Sequence, residues 1–220
     1  NLGRPTLPSG SESSIFQYLN SQGGATIVTS SYGNLFEFDG TDDYWQASKS
    51  PIKHLPSNFT YNIWVNHNRN PVGNMGAVLF LPSVGTSIQR AWILISGDTL
   101  TCRIAGDGTA GSLLYDQYTT SSYPNIFNNI TFTGQNNGDN TTTVDLHING
   151  SFVTSSLILI NQNRTSSVNF AINEPDIGRG GSSGTDRFLG EISTFQLYTR
   201  TLSADEIARN YNTTKTRFGL

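Results

Sequence analysis

Apolar and polar residues alternate with a period of two along much of the chain. Ile130 and Phe132, then Val144, Leu146 and Ile148, and Leu100, Cys102 and Ile104 each stand between polar or small neighbours. A strand sends successive side chains to opposite faces, so this alternation predicts half-buried β-strands. Turn-forming clusters interrupt it at short intervals, among them NPVGN, SGD, AGDGTAG and QNNGDN. Asn149-Gly150, flanked by VDLHI and SFV, carries the signature of a two-residue hairpin, whose turn positions need positive φ. Many short strands with regular turns predict a sandwich or a barrel. One segment departs from the period: in TLSADEIARNYN, Ser203 and Glu206 form a capping box, and Ile207 and Tyr211 share a face at i, i+4. This predicts one short C-terminal helix lying against the sandwich. The opening NLGRPTLPSGSESS is rich in Pro, Gly and Ser and reads as an arm or linker over 1–14, leaving one domain over 15–220.

Composition sharpens the picture. A length of 220 residues suits a single all-β domain with a sizeable core. Charged residues make up 13% of the chain, about half the usual share, and Ser, Thr, Asn and 22 Gly take their place. A net charge of −3 with scattered arginines argues against a counterion-releasing surface, so nucleic acid is not an expected partner. Cys102 is the single cysteine, which excludes an intrachain disulfide, and its alternating neighbours predict a small buried hydrophobe. No apolar run approaches the ~20 residues that span a bilayer, so membrane insertion is not expected.

Candidate chemistry centres on NLFEFDGTDDYW, which packs Glu37, Asp39, Asp42 and Asp43 into a few positions. Glu37, Asp39 and Asp42 imitate the E-x-D-x-x-E strand of family 16 glycoside hydrolases, where alternate acids on one face flank a glycosidic bond about 5 Å apart. Here the third member is Asp, and Gly40-Thr41 turns the chain, so the carboxylates are expected to point in unrelated directions. No catalytic residue is expected, and Glu37 and Asp42 are read as surface charges. A turn suits calcium better, since Ca²⁺ takes six to eight oxygens from carboxylates and carbonyls of irregular loops. Asp39, the Gly40 carbonyl and Asp43 are the candidate ligands. The competing role for Asp39 and Asp43 is to cap turn amides by Asx-type hydrogen bonds with no ion.

Other motifs carry less. Gly180 to Gly184 fits G-x-S-x-G, but TDRFLGEISTFQLY follows as strand where a nucleophile elbow needs a helix. His54, His67 and His147 show no metal-binding spacing. N-x-S/T sequons occur at Asn58, Asn129, Asn140, Asn149, Asn163 and Asn212. Trp45, Trp64 and Trp92 lie on or beside strands, where rings can stack on sugars, and His147 alternates with Leu146 and Ile148 toward solvent or a sheet face. These four are the candidate ligand-binding residues; packing in the core is the competing role for each tryptophan.

LFEFDGTDDYWQ followed by LPSNFTYNIWVN resembles the opening of laminin G-like (LamG) jelly-roll domains of the concanavalin A-like superfamily. VDLHINGSFV resembles the hairpin that family writes L-Y-I-N-G, with His147 in the tyrosine place, and DIGRG with RFLGEISTFQLYTRTLSADEIARNYN resembles its closing block. The resemblance covers roughly Leu35 to Tyr211. It implies a two-sheet antiparallel sandwich whose N- and C-terminal strands are adjacent, and it implies no catalytic residues. It further implies glycan or protein binding and, in a number of relatives, one rim calcium. The tail NYNTTKTRFGL is similar to LamG-type modules of tailed-phage structural proteins. The expectation is therefore a non-catalytic carbohydrate-binding or adhesion module, extracellular or on a virion surface, with a glycan or cell-surface polysaccharide as partner. A decoration protein contacting other virion proteins is the second reading, and an endo-acting glycan hydrolase with acids from distant strands the third.

Overall fold

The computed structural model describes residues 19–47, 54–55, 58–67, 76–81, 90–96, 99–106, 109–115, 126–139, 141–159, 170–171, 176–180 and 186–220. The expected arm, 1–14, and Ser182 of the G-x-S-x-G match lie outside the described residues. In chain order the strands begin with β1 (Leu19–Gln22), β2 (Thr26–Ser30), β3 (Gly33–Asp39), β4 (Tyr44–Ala47), β5 (His54–Leu55) and β6 (Phe59–His67). They continue with β7 (Gly76–Leu81), β8 (Arg90–Ser96), β9 (Thr99–Gly106), β10 (Thr109–Tyr115), β11 (Asn128–Asn136) and β12 (Thr141–Ile148). The last six are β13 (Ser151–Leu159), β14 (Phe170–Ala171), β15 (Asp176–Ile177), β16 (Arg179–Gly180), β17 (Asp186–Arg187) and β18 (Leu189–Tyr198). Helix α1 (Ala204–Thr214) and a 3-10 turn, Lys215–Phe218, follow.

Two seven-stranded sheets carry the fold. The first runs β1-β4-β15-β7-β8-β9-β10 and the second β13-β12-β11-β6-β18-β3-β2, with antiparallel pairing throughout. Near-terminal strands are neighbours, since β18 pairs with β3 from Leu189 opposite Asp39 to Ile192 opposite Phe36. The alternation read in the sequence sorts side chains as a sandwich requires. Phe59, Tyr61, Ile63, Val65, Ile130, Phe132, Val144 and Leu146 of the second sheet meet Ile93, Ile95, Leu100, Cys102 and Ile177 of the first in one core. Cys102 is fully buried there, and burial pushes its thiol well above the ordinary range, so it packs as a small hydrophobe.

The predicted hairpin and helix both form, and they touch. Asn149 and Gly150 have φ of 53° and 76°, the left-handed pair that joins β12 to β13. A side chain at Gly150 would lie 2.9 Å from the Tyr211 ring, so a glycine is needed there for space as well as for φ. Helix α1 opens on the Ser203 and Glu206 capping box and buries Ile207. Its far end and the 3-10 turn lie on the outer face of the second sheet, where Trp64 stacks on Phe218 at 4.2 Å and on Tyr211 at 5.7 Å. Leu35 and Phe127 complete this second, smaller cluster.

Candidate functional site

Strand β3 ends at Asp39, and the chain bends through Gly40, Thr41 and Asp42 before β4 starts at Tyr44. Gly40 has a φ of 75°, which a glycine adopts freely. The bend curls the acids together. One carboxylate oxygen from each of Asp39, Asp42 and Asp43 lies within 4.8 Å of the others. Asp42 therefore joins the cluster although its sequence position read as a plain surface charge; it is exposed, as a surface charge is, but its carboxylate turns back toward its neighbours.

Internal hydrogen bonds hold the loop. Asp39 Oδ1 accepts from the amides of Thr41 at 2.7 Å and Asp42 at 3.4 Å, and Asp43 Oδ2 accepts from the Asp39 amide at 3.0 Å. These are the Asx-type caps of the ion-free reading. They use one oxygen of Asp39 and one of Asp43, which leaves the other of each for a further partner. Asp43 is only 8% exposed. Burial raises its carboxyl above the ordinary range, the charges of Asp39 and Asp42 add to the rise, and the Asp39 amide opposes it. Three hard carboxylate oxygens crowded on one turn fit a divalent, oxygen-seeking cation.

Glu37 is exposed on the outer face of β3 and stands opposite Glu191 of β18, whose Oε2 accepts from Asn66 Nδ2 at 3.0 Å. Asp39, two residues on, is drawn into the bend by its amide contacts. The E-x-D-x-x-D series therefore does not form one row of acids, and Gly40 is the reason.

Trp45 and Trp64 take the packing role and not that of an open sugar platform. Trp64, 1% exposed, is buried by Tyr211 and Phe218, so its ring has no free face for a sugar. His147 is 5% exposed rather than open to solvent. It packs edge-on against Phe152 at 5.5 Å, and burial lowers its pKa, opposed by the charge of Asp145. Trp45 is half-buried and turned inward, edge-on to Phe36 at 5.2 Å and against the main core. Trp92 lies on β8 opposite Phe80 and Arg103, and its side chain falls outside the described residues. Of the sequons, Asn129 is buried with its amide bonded to Asn62 Oδ1 at 2.7 Å, which leaves no acceptor for a glycan in the folded chain.

The family model for Laminin_G_3, Concanavalin A-like lectin/glucanases superfamily, matches residues 39–208. The chain belongs to this family. Solved structures of the same concanavalin A-like fold include the botulinum neurotoxin type G receptor binding domain, with a TM-score of 0.66 at 19% identity over 89% of this chain. The binding domain of Paraclostridial Mosquitocidal Protein 1 gives 0.67 at 18% identity over 89%. The binding domain of botulinum neurotoxin DC in complex with SialylT gives 0.66 at 13% identity over 90%. The chain spans about half the length of these neighbours, 46%, 47% and 46% respectively. No curated protein sequence matches the chain. Within the Laminin_G_3 match fall the whole acidic turn, the closing β18 and the first part of α1. Among the described residues no helix is long and apolar enough to cross a membrane.

Proposed function

We propose that this Laminin_G_3 domain is a non-catalytic carbohydrate-binding or adhesion module that acts outside cells or on a virion surface. The observation that carries the reading is the end of β3 at Asp39, in a superfamily named for both lectins and glucanases. A retaining glucanase needs two acids about 5 Å apart on opposite sides of a bond, whereas the acids at this strand end gather on one turn after Gly40, where Asp39 and Asp43 are tied to the turn's own amides. The receptor binding and binding domains among its structural neighbours support the same reading, as does the neighbour in complex with SialylT. Calcium is part of the proposal, held by Asp39, Asp42 and Asp43; it would neutralise their mutual repulsion and fix the rim of the sandwich.

A glycan array probed with the full chain, in calcium and again in chelator, tests this function. Binding to at least one glycan is expected, and silence under both conditions overturns it. Any glycan that binds is then incubated with the protein and assayed for new reducing ends. None are expected; release that disappears in Glu37→Gln would instead make Glu37, opposite Glu191, a catalytic acid.

A further inference from the structure

We propose that Tyr44, on the outer face of the first sheet, and Arg179 and Arg187, on the two-stranded β16-β17 ribbon stacked over its ring, bind the carboxylate or sulfate group of an acidic saccharide. The inference rests on the carbohydrate-binding reading and specifies the class of glycan. Trp45 packs inward, so its strand neighbours Tyr44 and Gln46 face outward. Ile177 opposite Trp45 is likewise in the core, and Asp176 opposite Gln46 is on the outer side with it.

Two cations converge on this face. Arg179 and Arg187 stand directly opposite each other in the ladder of β16 and β17, an arrangement in which like charges repel. Both guanidinium groups lie over the Tyr44 ring, at 3.7 Å and 5.3 Å from its centre. Arg179 is compensated: Asp176 Oδ2 accepts from its Nε at 3.0 Å and its Nη2 at 2.7 Å, while Asp176 Oδ1 accepts from Gln46 Nε2 at 3.1 Å. Arg187 has no such partner among the described residues, and its Nη1 is shielded from water with no acceptor. Among the described residues, two guanidinium groups against one carboxylate leave one positive charge uncompensated.

The backbone holds the pair in place. Gly178 has a φ of 86°, and a side chain there would lie 2.2 Å from the Phe38 ring, so the turn into Arg179 requires glycine. The Gly178 carbonyl accepts from the Phe188 amide at 2.9 Å, which ties the residue after Arg187 to the residue before Arg179. A guanidinium group meets carboxylate or sulfate oxygens two at a time through its planar fork. The Tyr44 hydroxyl and Gln46 supply polar groups of the kind that meet sugar hydroxyls. A single uncompensated charge on a chain of net charge −3 fits one acid group on a largely neutral ligand, and does not fit an extended polyanion.

The full chain is applied to an array of sialylated, uronic-acid-containing and sulfated oligosaccharides, each beside its neutral counterpart. Acidic members are expected to bind at least about tenfold more tightly than their counterparts, the worth of one charge-assisted contact. Arg187→Gln is expected to lose that preference with an unchanged circular-dichroism melting curve, and Arg187→Lys, which keeps the charge and loses the fork, to fall between. The comparison of acidic with neutral glycans uses the unaltered protein, so it decides the matter even if Arg187→Gln does not fold. Equal binding of both kinds overturns this site and leaves the carbohydrate reading standing, whereas no binding to any glycan overturns both. Sodium sulfate or a polyglutamate peptide competing as strongly as the best acidic oligosaccharide overturns the assignment to a saccharide.

Discussion

Asp43 carries the electrostatic tension of the acidic turn. Burial and the neighbouring charges of Asp39 and Asp42 raise its carboxyl, so folding favours the protonated acid. The stability it contributes is fully present below its ordinary value of 3.8 and is lost as pH rises through the raised folded value. At neutral pH the ionised group is a cost, which a bound divalent cation would reverse. In chelator at pH 7, Asp43→Asn is therefore expected to melt at or above the wild-type temperature. With calcium at about a hundred times its dissociation constant, the wild type should gain about 2.7 kcal/mol and the variant much less. Calorimetric melts check this, and a wild-type curve indifferent to calcium removes the ion from the proposal. The turn itself was legible in sequence because Gly40-Thr41 cannot continue a strand of alternating faces. The recruitment of Asp42 was not, because the curl of a bend depends on backbone angles that residue alternation does not encode. Arg187 was not legible for a related reason: only the pairing of β16 with β17 sets it against Arg179.

Among the elements, α1 was the easiest to read, since its capping box, its acidic first turn and its Ile207 face are all local. The Ser203 side chain accepts from the Glu206 amide at 3.3 Å, and Glu206 in turn accepts from the Ser203 amide at 2.9 Å and from both terminal nitrogens of Arg200. Ser203→Ala is expected to cost about 1 kcal/mol in denaturant unfolding, the usual worth of such a cap. The Arg200 guanidinium, with the Ser203 amide, holds the Glu206 carboxyl down at about 2. Its stabilisation is therefore present above the ordinary value of 4.5 and lost as pH falls toward 2. Melting temperatures between pH 5 and pH 2 should fall less steeply in Glu206→Gln than in the wild type, and parallel curves would refute the linkage. The docking site of α1 was not legible, because Trp64 and Leu35 read as ordinary strand residues until long-range pairing places them on the outer face under Tyr211 and Phe218. The one local hint was the aromatic Phe218 just beyond the helix.

At the scale of the molecule, the two sheets differ in what they leave open. The outer face of the second sheet is partly closed by the C-terminal segment, which covers Trp64, Leu35 and Phe127, whereas the first sheet presents Tyr44 on its outer side under the two arginines of the β16-β17 ribbon. A glycan held on the first sheet should therefore be insensitive to packing on the second. Phe218→Ala removes a buried ring that stacks on Trp64 at 4.2 Å and lies 4.7 Å from Phe127, and it is expected to cost about 3 kcal/mol or more. Tryptophan fluorescence should shift to the red as Trp64 meets water. Below its own melting temperature the variant should still bind the best array ligand with wild-type affinity, measured by calorimetry, because Tyr44 belongs to the opposite sheet and Arg187 lies over its ring. If the folded variant instead loses binding while Arg187→Gln keeps it, the ligand lies beside the C-terminal helix and not on the arginine face.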